Sequence, residues 1–174
     1  MIETPQEYTQ RLLGYVDGRD PLVVQAATAG EIDRLIAGVP AAVLRARPAP
    51  GKWSVNEIVA HLADAEIVGA FRLRFILGAP GSPIVAYDQV KWAVAGHYEA
   101  RDPRRSLEQF RVVRDGNLAL LASLEPEQWS LSGVHTERGE ESIGHIVRMF
   151  AGHDINHMRQ IDAILGSTRP AVNA

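Results

Sequence analysis

From Ile143 to Ile164 one kind of position returns every three or four residues, filled by Ile143, Ile146, Phe150, His153, His157, Ile161 and Ile164. That spacing predicts a long helix with one inward face, because a 3.6-residue period keeps those positions on a common stripe. Start signals for further helices recur along the chain. Thr4-Pro5-Gln6-Glu7 is a capping box with proline at the first helical position, and Gly18 closes the segment it opens. Asp20-Pro21 opens a short second piece. Thr28-Ala29-Gly30-Glu31 reads as another capping box, leading into Ile32, Leu35 and Ile36 and stopping near Gly38-Val39-Pro40. After a connection at residues 46–52, Ser54-Val55-Asn56-Glu57 starts a helix that runs to about Leu77, before Gly78-Ala79-Pro80-Gly81.

Residues 78–101 read as a long, partly regular crossover with a short helix from Tyr87 to Ala95. Asp102-Pro103 supports the next helix start, Ser106 and Gln109 form a second candidate box, and Phe110, Val113, Leu120 and Leu124 make its stripe. Residues 125–141 read as a polar loop, and the last helix runs from near Ser142 to Leu165-Gly166. Only Ile84-Val85-Ala86-Tyr87 has a strand-like pattern. The expected fold is all-α: a four-helix bundle with a long crossover between its second and third main helices. One domain is expected over residues 1–174, its core spanning about residues 20–165.

The 174 residues include no cysteine. Disulfides, thiolate nucleophiles and Cys-ligated metal clusters are therefore excluded, and His, Asp and Glu remain as the strong metal ligands. A net charge of -3, with no basic stretch interleaved by aromatics, predicts no nucleic-acid partner. Arg101, Arg104 and Arg105 read as a solvated helix start. Met1-Ile2-Glu3-Thr4-Pro5 lacks the features of a signal peptide, and no apolar run approaches the roughly 20 residues of a membrane span. A soluble, cytoplasmic protein without a membrane partner is expected.

Two of the six histidines, His153 and His157, fall on the inward stripe of the last helix, one turn apart. In the helix opened by Ser54, His61 shares the inward stripe with Ile58, Ala65 and Val68. If the two helices pack together, three imidazoles meet inside the bundle. The alternative is a set of hydrogen-bonded core histidines. Three neutral imidazoles suit a divalent ion, zinc or nickel first, with iron and manganese as alternatives. Three protein ligands also leave a coordination position open, as in catalytic sites, where a bound water can have its pKa lowered to about 7.

The blocks that carry these histidines resemble those of a known family. Gly51-Lys52-Trp53-Ser54-Val55-Asn56-Glu57-Ile58-Val59-Ala60-His61-Leu62-Ala63-Asp64-Ala65-Glu66 is similar to the second-helix signature of DinB-like proteins, and Ala151-Gly152-His153-Asp154-Ile155-Asn156-His157-Met158-Arg159-Gln160-Ile161 to their fourth-helix signature. Tyr87-Asp88-Gln89 with Trp92, and Gly133-Val134-His135 with Glu137-Arg138-Gly139-Glu140, also resemble the group. The resemblance implies a four-helix bundle of DinB/YfiT type in which His61, His153 and His157 bind one divalent metal ion. It further implies a homodimer. Related families contain thiol-dependent transferases and isomerases that use bacillithiol or mycothiol, and proteins assigned metal-dependent hydrolysis by name only.

Two further residues are candidates for proton movement. Asp64, three residues after His61, is placed either to hydrogen-bond an imidazole N–H or on a solvated flank. His135, in the loop feeding the last helix, is placed to shuttle a proton or contact substrate, or to stabilise its turn. Gln160 lies one turn beyond His157 and can orient it. His145 is read as a flank residue, His97 carries no role, and Trp53, Trp92 and Trp129 are expected to pack at element boundaries, Trp92 being the candidate lid or dimer contact. The expected function is a metalloenzyme of thiol-dependent S-transferase or hydrolase type acting on a small molecule, with a low-molecular-weight thiol as candidate partner. The alternative is a non-enzymatic, metal-stabilised helical bundle serving in binding or stress response.

Overall fold

The computed structural model describes residues 3–168. Its helices are α1 (Pro5–Gly14), α2 (Pro21–Ile36), α3 (Ala41–Arg45), α4 (Val55–Gly78), α5 (Gln89–Ala95), α6 (Pro103–Ala122) and α7 (Ile143–Thr168). Short 3-10 turns occupy Tyr98–Ala100 and Pro126–Ser130. Three short strands complete the described residues: β1 (Pro83–Ile84), β2 (Ser132–His135) and β3 (Gly139–Ser142). No described helix is long and apolar enough to cross a membrane.

The helix starts follow from side chains that satisfy otherwise orphaned N–H groups. Thr4 and Glu7 form the capping box of α1, and Ser54 and Glu57 that of α4. Asp20 and Asp102 each accept two backbone N–H groups ahead of a proline, opening α2 and α6. Two expected starts do not exist. Thr28 lies inside α2, its hydroxyl 2.9 Å from the Val24 carbonyl and 3.0 Å from Asp154 Oδ2. Ser106 is buried within α6, because Asp102 had already capped that helix. A capping sequence is a local signal, and it yields where an earlier cap and a tertiary partner take the same groups.

The four main helices form a closed ring in which α2 packs on α6 and α7, and α4 packs on the same two. Helices α2 and α4 are thus placed diagonally, although α4 is the next long helix in the chain. The short α1 lies against α7. There Gly152 is required: a Cβ at that position would stand 2.1 Å from the Leu12 carbonyl oxygen.

The core has two apolar ends. One is built from Ile32, Ile36, Val55, Ile58, Leu62, Phe110, Ile161 and neighbours. The other is built from Leu73, Ile76, Leu121, Ile143, Ile146 and Val147. Between them every long helix contributes polar side chains: Gln25 and Thr28 from α2, Glu66 from α4, Arg114 and Asn117 from α6, and Asp154 from α7, all buried. This corrects the expected stripe of α6. Its inward face is Leu107, Phe110, Arg114, Asn117 and Leu121 rather than Phe110, Val113, Leu120 and Leu124. Two polar residues occupy the face that an apolar pattern cannot reveal.

The expected polar loop at 125–141 contains a hairpin. Strand β2 pairs antiparallel with β3, from Ser132 opposite Ser142 to His135 opposite Gly139, and parallel with β1 through Val134 and His135. Strands of two to four residues carry too little alternation to be read from sequence. The small sheet carries His135 to the bundle.

Candidate metal centre

Helices α4 and α7 do pack against each other, and His61, His153 and His157 converge where they meet. His61 Nε2 lies 3.0 Å from His153 Nε2, and His157 Nε2 lies 3.1 Å from the same atom. Nitrogens each about 2.0–2.1 Å from a common ion stand roughly 3 Å apart when the angles between them are near 90–100°. The separations fit a shared ion. Hydrogen bonding alone serves the arrangement poorly, since the His153 Nε2 would have to face two other ring nitrogens with a single proton or a single lone pair.

Burial holds all three imidazoles neutral. It is the main cause that pushes His61 and His153 well below the ordinary histidine value, with the neighbouring imidazoles adding to the effect. His157 is pushed down to about 4 by burial, partly offset by its hydrogen bond to Gln160. A neutral imidazole with a free lone pair is the form that binds a metal. Gln160 Oε1 lies 2.9 Å from His157 Nδ1 and accepts its proton, which leaves Nε2 as the lone-pair nitrogen. His61 has no such outer partner among the described residues: its buried Nδ1 meets none there, and its ring packs on Trp53 with centroids 4.9 Å apart. The donor set is able to hold a metal ion.

Two cavities reach this centre. One of about 460 Å3 is lined by His153, Ala65, Phe150, Arg72, Tyr87 and His135, among others. The second, about 520 Å3, is lined by His157, Trp53, Lys52, Arg11 and Gln160, among others, and shares Tyr8, Gln89 and Val90 with the first. The small residue Ala65, one turn beyond His61, lines the first cavity together with His153.

His135 and Asp64 take different places from each other. His135 is buried on the wall of the first cavity, where its Nδ1 accepts the Glu137 N–H at 3.1 Å. Its Nε2 therefore carries the proton of the neutral ring and has no partner among the described residues. Burial, then the Arg138 charge, lowers its pKa. Asp64 is no partner of an imidazole. Its carboxylate accepts from the Tyr98 hydroxyl at 2.8 Å and pairs with Arg101 at 2.8 Å, so it clamps the crossover onto α4. Asp64 precedes the inward Ala65 by one residue, about 100° round the helix, which turns its side chain toward the crossover. His145 is half-buried on α7 away from the cluster, and His97 sits at a left-handed turn with φ 51°. Trp92 packs on Tyr87 with centroids 4.6 Å apart and is 41% exposed.

Behind the histidines lies a charged network that sequence reasoning missed. Arg114 bonds Glu66 at 2.7 Å and Asp154 at 2.6 Å, and donates to the Gln25 carbonyl at 2.9 Å. Asn117 donates to the other Glu66 oxygen at 2.6 Å and accepts from Arg74 at 2.7 Å. Burial outweighs the Arg114 charge at Asp154 and leaves its carboxyl above the usual value. The available signal was the position of Arg114, four residues after Phe110 on the inward face, adjacent in sequence to no other charge but Asp115.

Comparison with known proteins gives a consistent picture. The family model of the DinB superfamily matches residues 26–161. Two relatives from Oceanobacillus iheyensis, both named "Putative metal-dependent hydrolase", are 27% identical over 117 and 114 residues, or 67% and 66% of each chain. The Bacillus subtilis protein YfiT, named in the same way, is 25% identical over 112 residues, 64% of this chain and 63% of its own. The chain thus spans about two thirds of the length of these relatives. The solved structure of YfiT, described as having "an unusual four-helix bundle topology", superposes with a TM-score of 0.78 at 20% identity over 83% of both chains.

Proposed function

The chain belongs to the DinB superfamily, and from that premise we propose that it is a metal-dependent enzyme acting on a small molecule, of hydrolase or thiol-transferase type. The observation that carries this reading is the meeting of three neutral imidazoles, Nε2 to Nε2 within 3.0 and 3.1 Å, at the junction of two cavities. His61, His153 and His157 would hold a divalent ion, zinc or nickel before iron or manganese. Such an ion supplies Lewis acidity and an open position at which a water or thiol becomes acidic enough to react near neutral pH. Gln160 fixes the tautomer of His157. His135 offers an Nε2–H on the cavity wall and, as a neutral ring, would contact the substrate by donating a hydrogen bond to one of its oxygens. Asp64 positions the crossover through Tyr98 and Arg101 rather than moving protons.

Metal content measured by mass spectrometry on the untagged protein tests the proposal. Near-stoichiometric metal, lost in His153→Ala, is expected; no metal at neutral pH and no uptake of zinc, nickel or manganese would overturn it. The two cavities favour a second reading within the same chemistry, transfer of a low-molecular-weight thiol onto an electrophile held in the other chamber. Electrophile consumption that requires added thiol supports transfer, and consumption in water alone supports hydrolysis. The homodimer reading draws support from the exposed face of α4, where Phe71 and Phe75 stack 5.1 Å apart at 63% and 44% exposure. Light scattering on a sizing column tests it directly.

A further inference from the structure

Arg72 is a buried cation without an acid. It lies eleven residues beyond His61 on α4, three turns up the same face, about 16 Å along the axis. Its side chain lines the cavity that reaches His153. The residue is 9% exposed, yet its one hydrogen bond runs from Nη2 to the Val85 carbonyl at 3.1 Å, and it joins no ion pair among the described residues. Glu141, the buried carboxylate whose charge it feels, is taken by Arg138 at 2.5 and 3.1 Å. The acids that line the cavity itself are also committed or peripheral. Glu3 is paired with Arg11, Asp88 caps α5, and Glu137 is exposed at the rim.

Withdrawing a guanidinium from water is costly unless a charged or strongly polar partner compensates it. Arg114, the other arginine buried among the described residues, obeys that rule with two carboxylates, and even the partly buried Arg138 has one. On the same wall the buried Nε2 of His135 is a second donor without a partner. Two uncompensated donors on one wall, in a cavity that reaches the imidazole of His153, describe a site with a negative group missing. Resting on the reading of that centre as a working site, we infer that Arg72 anchors an oxyanion of the substrate, a carboxylate or a phosphate ester, and so selects anionic small molecules. The flat fork of an arginine matches both groups.

Calorimetric titration of the zinc-loaded protein with succinate, phenyl phosphate and the neutral analogue succinamide, at constant ionic strength, tests this. Zinc is quantified in each sample. At least one anion should bind, the stronger of the two identifying the headgroup, and succinamide should not. Arg72→Gln should weaken the anion at least tenfold and Arg72→Lys severalfold, both with zinc content unchanged. Equal anion binding by Arg72→Gln, or no preference for either anion over succinamide, would overturn the inference. Should Arg72→Gln fail to fold, unchanged affinity in Arg72→Lys overturns it equally. A protein that takes up no zinc refutes the metal reading instead, while the anion titration on that sample still reports on Arg72.

Discussion

Replacing Arg114 with methionine isolates the energetics of the polar belt. The side chain is 2% exposed and its acidic partners Glu66 and Asp154 are 4% and 1% exposed, so neither carboxylate can turn to water once the guanidinium is gone. Removing one partner of a buried ion pair costs about 3–5 kcal/mol, most of it from the charge left behind. Methionine preserves much of the contact with the Phe110 ring, over which the guanidinium lies at 4.6 Å, so lost packing adds little. For a chain of this length the melting midpoint moves roughly 2–4 °C per kcal/mol, which predicts a fall of about 6–20 °C at pH 7. The loss has a pH signature. Asp154 already titrates above its ordinary value because burial outweighs Arg114, and without Arg114 it must rise further. A folded-state pKa above the unfolded one contributes stability that is present at low pH and lost as pH rises through it. The variant should therefore approach wild type near pH 5 and fall furthest behind near pH 8. Scanning calorimetry across that range provides the check. A destabilisation below about 1 kcal/mol at pH 7, or one that shrinks as pH rises, would refute the reasoning.

Gly152→Ala drives a Cβ into the Leu12 carbonyl and should cost about 1–3 kcal/mol in urea titration, whereas Gly116→Ala, with open space around its Cβ, should be neutral or stabilising by up to about 1 kcal/mol. Gln160→Leu removes the acceptor 2.9 Å from His157 Nδ1 and should lower metal affinity about 10–100-fold in a chelator competition, with the fold intact by circular dichroism. In the metal-free protein the depressed pKa values of His61, His153 and His157 contribute stability that is full above the unfolded value of 6.5 and is lost as pH falls toward about 4, where His157 protonates in the fold. Urea midpoints should decline from pH 7 to pH 4.5, and a flat profile would contradict neutral buried imidazoles.

Residue order alone determined the helices with strong local grammar and the faces of His61, His153 and His157. Capping boxes and prolines act within one turn, so Thr4, Asp20, Ser54 and Asp102 announce α1, α2, α4 and α6 without reference to the rest of the chain. Periodicity set the histidines inward because helical phase is a property of spacing. Tertiary structure decided what those faces meet. Thr28 looks like a cap but is drawn to Asp154, and Asp64 looks like an imidazole's partner but is held by Tyr98 and Arg101. The belt of Arg114, Glu66, Asp154 and Asn117 breaks the apolar pattern of its own helices, since each polar side chain is tolerated only because others arrive from different parts of the chain. The hairpin that brings His135 to the cavity, and the cavity that leaves Arg72 without an acid, exist only through such distant pairings. Spacing fixes where a side chain points along its own helix; the partner that compensates its charge comes from elsewhere in the chain, and no local pattern encodes it.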